Sequence, residues 1–318
     1  MELVALAKNP VPSGAHVGTL VAGDGVKLRF ARWRPTRGPT RGTICLFGGR
    51  GEFIEKYFEV VADLRRRGFA VAAMDWRGQG GSDRLLSNTH KGHVERFADY
   101  DRDLVRFMKE IALPDCPPPY VALAHSMGAN ILLRNAVVSG SWFDRMVLTA
   151  PMIRISRQRT GFPEPVVRAY SEGVSLLGMS RSYVPGGGDD PMEAMPFEGN
   201  PLTTDHERWA RNKAVVEAAP QLGLGSATVG WLREALRSCA RVSAPGFAES
   251  VQVPMLIFAA GNDSIVSARA AEELGVRLKV GMQMLLPDVR HEILQENAAI
   301  RQRFWAAFDA YLDIPAAA

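Results

Sequence analysis

The chain has 318 residues, 47% of them hydrophobic and 23% charged, which is the composition of a globular protein with one large core or two modest domains. Its formal charge of +4 comes mainly from scattered arginines, with no basic stripe interleaved with aromatics, so nucleic-acid binding is not expected. No apolar run approaches the roughly 18 to 20 residues needed to cross a bilayer. In chain order, 16–22 and 26–34 read as a hairpin around the turn residues Gly23-Asp24-Gly25. A buried strand at 42–47 runs into the glycine-rich turn Gly48-Gly49-Arg50-Gly51. Apolar residues at Phe53, Tyr57, Val60, Val61 and Leu64 predict a helix over 53–67, ended by Gly68. After a strand at 69–74, the segment 75–82 is too rich in glycine to continue regular structure and reads as a shaped loop. A helix over 94–111, a strand over 120–124, a helix over 127–138 and a strand over 145–149 follow. From 151 to 251 there are helical patterns and loops but no convincing strand. Strand signals return at 254–259 and 282–286, separated by a helix at 267–274, and a helix over 293–312 finishes the chain.

This alternation predicts an α/β fold whose sheet is interrupted once. The expected organisation is a core in two parts, 1–151 and 252–318, with a helical lid inserted at 152–251. Cys45, Cys116 and Cys239 are too far apart for a disulfide framework or a paired metal-ligand spacing, and residues 1–11 lack the apolar region and cleavage site of a signal peptide. A cytoplasmic location is therefore expected, with weak peripheral contact to anionic lipid at the inner membrane face left open. Zinc, P-loop and dinucleotide fingerprints are missing, so neither a metal nor a cofactor is expected.

The chemical signal is Ala124-His125-Ser126-Met127-Gly128, where a strand ends and a helix begins. A serine on such a turn projects its hydroxyl from the carboxyl edge of the sheet, with small neighbours letting the turn pass close to adjacent backbone. The plainer reading makes Ser126 the cap of the following helix. A hydroxyl needs a base to become a nucleophile, and the base needs an acid to fix its tautomer. Asp263 lies just past the strand at 254–259 and His291 in the loop before the last helix, so the chain order Ser, Asp, His is that of an α/β-hydrolase. Each has a structural alternative, Asp263 as a turn cap and His291 as a helix cap, and Asp288 is a rival acid in the loop of His291. His125 is a poor base because neighbours on a tight turn point apart; lining or packing the pocket suits it better. Negative charge on a tetrahedral intermediate wants two backbone donors, expected at the amides of Met127 and of Arg50 in the glycine turn.

Together 47–52, 75–80, 124–128, 148–152, 260–263 and 291–294 resemble the bacterial lysophospholipase and monoacylglycerol lipase group of α/β-hydrolases, which are serine aminopeptidase-like. The likeness covers nearly the whole chain outside the lid. It implies a mostly parallel eight-stranded sheet with helices on both faces. It also implies Ser126 as nucleophile, Asp263 as acid, His291 as base, and the amides of Arg50 and Met127 as the oxyanion hole. Many monoacylglycerol lipases carry histidine where this chain has Gly48 and glycine where it has Ala124, and both changes resemble the lysophospholipase branch.

The expected activity is hydrolysis of lipid carboxylic esters, lysophospholipid or monoacylglycerol, through an acyl-serine intermediate. The alternatives are a carboxylesterase on short soluble esters and a catalytically silent binding protein on the same scaffold. For substrate contact, Arg50 is a candidate for an anionic headgroup, with pairing to Glu52 as the plain alternative, and His125, Met152 and Trp231 are candidates to line the pocket. Met179, Met192, Met195, Phe197 and Trp209 are the insertion's other soft or aromatic groups suited to an acyl chain. The 75–82 loop reads as scaffolding beside the site, and His93 as a loop hydrogen-bonding residue. The oligomeric state is left open.

Overall fold

Four strands are dominated by apolar residues and buried along their whole length: β3 (Thr43–Phe47), β4 (Ala70–Met74), β5 (Tyr120–His125) and β7 (Met255–Ala260). Such runs cannot sit at a solvated surface and belong in the middle of a sheet covered by helices. The computed structural model, which describes residues 2–36, 39–138 and 140–315, places them there. With β1 (His16–Val21), β2 (Lys27–Trp33), β6 (Arg145–Thr149) and β8 (Gly281–Leu286) they form one eight-stranded sheet in the order β1-β2-β4-β3-β5-β6-β7-β8. The β1–β2 and β2–β4 pairs are antiparallel and the others parallel. Consequently the carboxyl ends of β3, β5, β7 and β8 open on the same edge, where loops of an open α/β sheet collect ligands.

The helices are α1 (Phe58–Arg66), α2 (Phe97–Phe107), α3 (Leu113–Asp115), α4 (Ser126–Asn135), α5 (Arg157–Thr160), α6 (Glu164–Leu176), α7 (His206–Ala218), α8 (Val229–Val242), α9 (Phe247–Ser250), α10 (Ala268–Arg277) and α11 (Ala298–Tyr311). Five of them, α5 to α9, lie in the connection between β6 and β7, the segment expected to be helical. Among the described residues no helix is long and apolar enough to cross a membrane.

Three helix starts differ from expectation, the first two where a distant carboxylate intervenes. Residues 54–57 form a 3-10 turn before α1, since Asp75 Oδ1 accepts the Ile54 N–H at 2.9 Å while the Glu55 and Lys56 side chains turn inward. α2 begins at Phe97 rather than 94: Arg96 is extended, Asp99 accepts its N–H at 3.3 Å, and Glu234 from α8 accepts the Phe97 N–H at 3.3 Å. At its far end α2 continues through a π turn, Met108–Ala112, into α3. The final helix is also split, a 3-10 turn at Ile293–Gln295 preceding α11, whose Asn297 cap accepts the Ile300 N–H at 3.2 Å.

Candidate active site

The turn from β5 into α4 puts Ser126 at φ 49°, a left-handed conformation that costs an L-residue about 1 to 2 kcal/mol. Surrounding contacts hold it. The Ser126 carbonyl accepts the Met152 N–H at 3.1 Å, and Gly128 lies so close to the β3 turn that a Cβ there would sit 2.6 Å from the Gly48 carbonyl oxygen. Strain retained at a turn that is packed on every side is the mark of a shaped site. The Ser126 hydroxyl lies 2.9 Å from His291 Nε2, and His291 Nδ1 lies 2.6 Å from Asp263 Oδ2. With Nδ1–H donating to the carboxylate, Nε2 is left as the acceptor for the hydroxyl proton. Asp263 Oδ1 accepts the N–H groups of Ile265 at 2.7 Å and Val266 at 3.0 Å, which fixes the carboxylate. The rival acid Asp288 is exposed and makes no hydrogen bond to His291.

Electrostatics follow from this packing. Burial alone would push the His291 imidazole down, but the Asp263 carboxylate outweighs it and holds its pKa above the ordinary value. Burial pushes Asp263 up, and its contact with His291 and the two N–H donors more than offset that, so it stays a carboxylate. His125, buried and with Nδ1 against Thr149, is pushed down to about 4 and is therefore neutral near pH 7.

Two N–H groups of the turn after β3 are claimed by side chains. Gly49 N–H donates to Glu52 Oε2, and Gly51 N–H donates to Gln79 Oε1 at 3.1 Å. Among the described residues, the N–H groups of Arg50 and Met127 have no such acceptor. The 75–82 loop braces the turn from behind, which its glycine content did not disclose. Gln79 Nε2 donates to the carbonyls of Gly49 at 2.7 Å and Glu52 at 3.1 Å, and Trp76 Nε1–H donates to Gly48 at 2.9 Å. Asp75 anchors the loop through Arg29 Nε at 2.7 Å.

Ser126 and His291 face a cavity of about 960 Å³ whose wall includes Arg50, His125, Met152 and Trp231. Met192, Met195 and Trp209 also line it, whereas Met179 is half exposed and Phe197 packs edge-to-face with His206 and Trp209 instead. His93 lies off the cavity, its Nδ1 2.8 Å from Thr228 Oγ1. Arg50 does not pair with Glu52. Its guanidinium donates to the Gly225 carbonyl at 2.6 Å and stacks over Trp231 at 5.3 Å, and its closeness to Gly92 leaves no space there for a Cβ. Burial without a carboxylate partner pushes its pKa down to about 10. Glu52 is occupied elsewhere, by Gly49, the Tyr57 hydroxyl at 2.5 Å and Lys56 at 3.4 Å. Lys56, Glu193 and Glu292, which also meet here, carried no motif that would single them out; three acids around one lysine come from chain segments far apart.

The chain is similar to known proteins over most of its length. Lysophospholipase L2 of Escherichia coli is 31% identical over 285 residues, which is 87% of this chain and 82% of that protein. A monoacylglycerol lipase of Mycolicibacterium smegmatis is 26% identical over 276 residues, covering 86% and 88%. A soluble variant of monoglyceride lipase from Saccharomyces cerevisiae, solved with a substrate analog, superposes with a TM-score of 0.74 at 18% identity over 95% of this chain and 97% of that one, a likeness of fold. The family described as serine aminopeptidase, S33, matches residues 38–298, and the chain belongs to that family of α/β-hydrolases.

Proposed function

We propose that this carboxylic ester hydrolase cleaves the acyl ester of a lysophospholipid through an acyl-serine intermediate. The reading is carried by the unbroken hydrogen-bonded series Ser126, His291, Asp263 opening onto a largely apolar cavity. Ser126 Oγ gives its proton to His291 Nε2 as it attacks the ester carbonyl, and Asp263 stabilises the imidazolium that forms. The amides of Arg50 and Met127 receive the negative oxygen of the tetrahedral intermediate. Collapse transfers the proton to the departing alcohol and leaves the acyl group on Ser126. Water then repeats the sequence with His291 as base, releasing the fatty acid and restoring the serine. The insertion between β6 and β7 acts as the lid, its Met192, Met195, Trp209 and Trp231 offering apolar surface to the acyl chain.

Arg50 supports an anionic headgroup over a neutral one. A partly buried guanidinium lacking a carboxylate is costly unless an anion arrives with the ligand, and its fork suits a phosphate. The test is a hydrolysis panel of lysophosphatidylcholine, monoacylglycerol and p-nitrophenyl esters, run on wild type, Ser126→Ala and Arg50→Leu. Ser126→Ala should lose turnover by about 10⁴ or more on every ester. Arg50→Leu keeps the backbone donor and should lower kcat/KM for lysophosphatidylcholine at least tenfold relative to monoacylglycerol; an unchanged ratio ends the headgroup assignment. A maximum at acetate or butyrate esters would favour a short-chain carboxylesterase instead.

A further inference from the structure

Behind the cavity wall lies one ammonium group that three carboxylates share. Lys56 Nζ is 2.6 Å from Glu292, 3.2 Å from Glu193 and 3.4 Å from Glu52, and its side chain is 1% exposed. Burial would strip its proton, but the three acids outweigh that and keep it charged. The acids come from different parts of the chain. Glu52 belongs to the turn that carries Arg50, Glu292 follows His291 directly, and Glu193 sits in the 3-10 turn Met192–Ala194 of the insertion. The Lys56 carbonyl adds a fourth tie by accepting Gln295 Nε2 at 2.9 Å, again from the His291 loop. All three carboxylates reach the cavity wall, whereas Lys56 does not. Its ammonium is therefore out of reach of a bound ester but in contact with three segments that line the site.

We propose that Lys56 is a positioning residue, tying the turn of Arg50, the loop of His291 and the insertion into one rigid site. The claim rests on the acyl-transfer reading above and adds to it a group that never meets substrate. A one-cation, three-acid arrangement suits such a role, because loss of the ammonium takes a shared partner from every arm at once. A misplacement of about 1 Å in a reacting constellation costs about 10²-fold in rate.

The experiment has a kinetic arm and an exchange arm. In Lys56→Met, kcat on p-nitrophenyl butyrate at 25 °C should fall about 100-fold with KM within about threefold, and Lys56→Arg should recover at least a tenth of wild-type kcat. Hydrogen–deuterium exchange on the same proteins should show faster exchange in 49–57, 291–296 and 192–195 together, with β7 and β8 unchanged. Retention of kcat in folded Lys56→Met, or a rise in KM with kcat intact, overturns the proposal. Should Lys56→Met not fold, Glu193→Gln decides by exchange: acceleration transmitted to 49–57 and 291–296 supports the tie, and a change confined to 192–195 refutes it. A wild type lacking Ser126-dependent esterase activity would defeat the functional reading, while the exchange arm still judges the tie.

Discussion

Gly128→Ala is the sharpest single test of how the site is assembled. A Cβ at Gly128 would lie 2.6 Å from the Gly48 carbonyl oxygen and 2.9 Å from that of Phe47, against a limit near 3.0 Å that real Cβ atoms respect. Both obstacles are backbone, so no side chain can swing aside, and the β3 turn must retreat by several tenths of an ångström from the start of α4. The Arg50 amide then withdraws from the Ser126 hydroxyl. Full loss of one oxyanion donor costs about 2.7 to 4 kcal/mol, so a partial withdrawal should cost about 2 kcal/mol, roughly 30-fold in kcat. KM should change little, since the ester carbonyl bears no such charge in the ground state. Helix propensity alone would make alanine about 1 kcal/mol more stable in α4, whereas overpacking costs about 1 to 3 kcal/mol. Steady-state kinetics on p-nitrophenyl butyrate and urea unfolding read both effects. A variant with kcat within threefold of wild type, or one more stable than wild type, would refute the close-approach argument.

For the base, kcat/KM should rise with pH through a limb above the ordinary imidazole value of 6.5, because Asp263 holds His291 up and only neutral imidazole accepts the proton. Asp263→Asn removes that support, leaves burial to act alone, and should move the limb to lower pH while kcat falls about 10⁴-fold; a limb that moves upward would contradict the assignment. Gln79→Ala deletes three hydrogen bonds to the β3 turn and should lower kcat at least tenfold with the fold intact by circular dichroism. Gly173→Ala, on an exposed face of α6 with nothing near the new methyl group, should raise unfolding stability by about 0.5 to 1 kcal/mol in urea without altering kinetics.

What the sequence disclosed follows the range of the forces involved. Strands such as β4 and β7 are apolar from end to end, a local pattern that suits a sheet interior, and their ends were legible within a residue or two. Ser126, Asp263 and His291 were legible because they follow β5, β7 and β8, parallel strands whose carboxyl ends share one edge of the sheet. Helix starts were less legible. The carboxylates that set them, Asp75 at Ile54 and Glu234 at Phe97, act from 21 and 137 residues away, where no periodicity reaches. The same limit hid Gln79, whose neighbours Gly78 and Gly80 advertise only a turn, and Lys56, which inside a helical pattern reads as a solvated lysine.

These hidden residues share a location: they stand behind the groups that face the cavity. A serine held at φ 49° and a turn that leaves the Arg50 N–H without an acceptor among the described residues are not low-energy choices of their own segments. They persist because polar side chains from elsewhere over-determine them. Gln79 and Trp76 brace the turn from the β4 side, Lys56 from the α1 side, and Gly128 abuts it from α4. The polar braces are buried and hydrogen-bonded, so displacing one leaves an unpaired polar group as well as a gap, and the turn cannot drift without breaking several at once. Rigidity of this kind is what preorganised oxyanion stabilisation requires, since donors that must reorient during the reaction forfeit most of their advantage. The front of the site can thus be recognised from residue types at strand ends, but its precision resides in a rear layer that only the three-dimensional arrangement reveals.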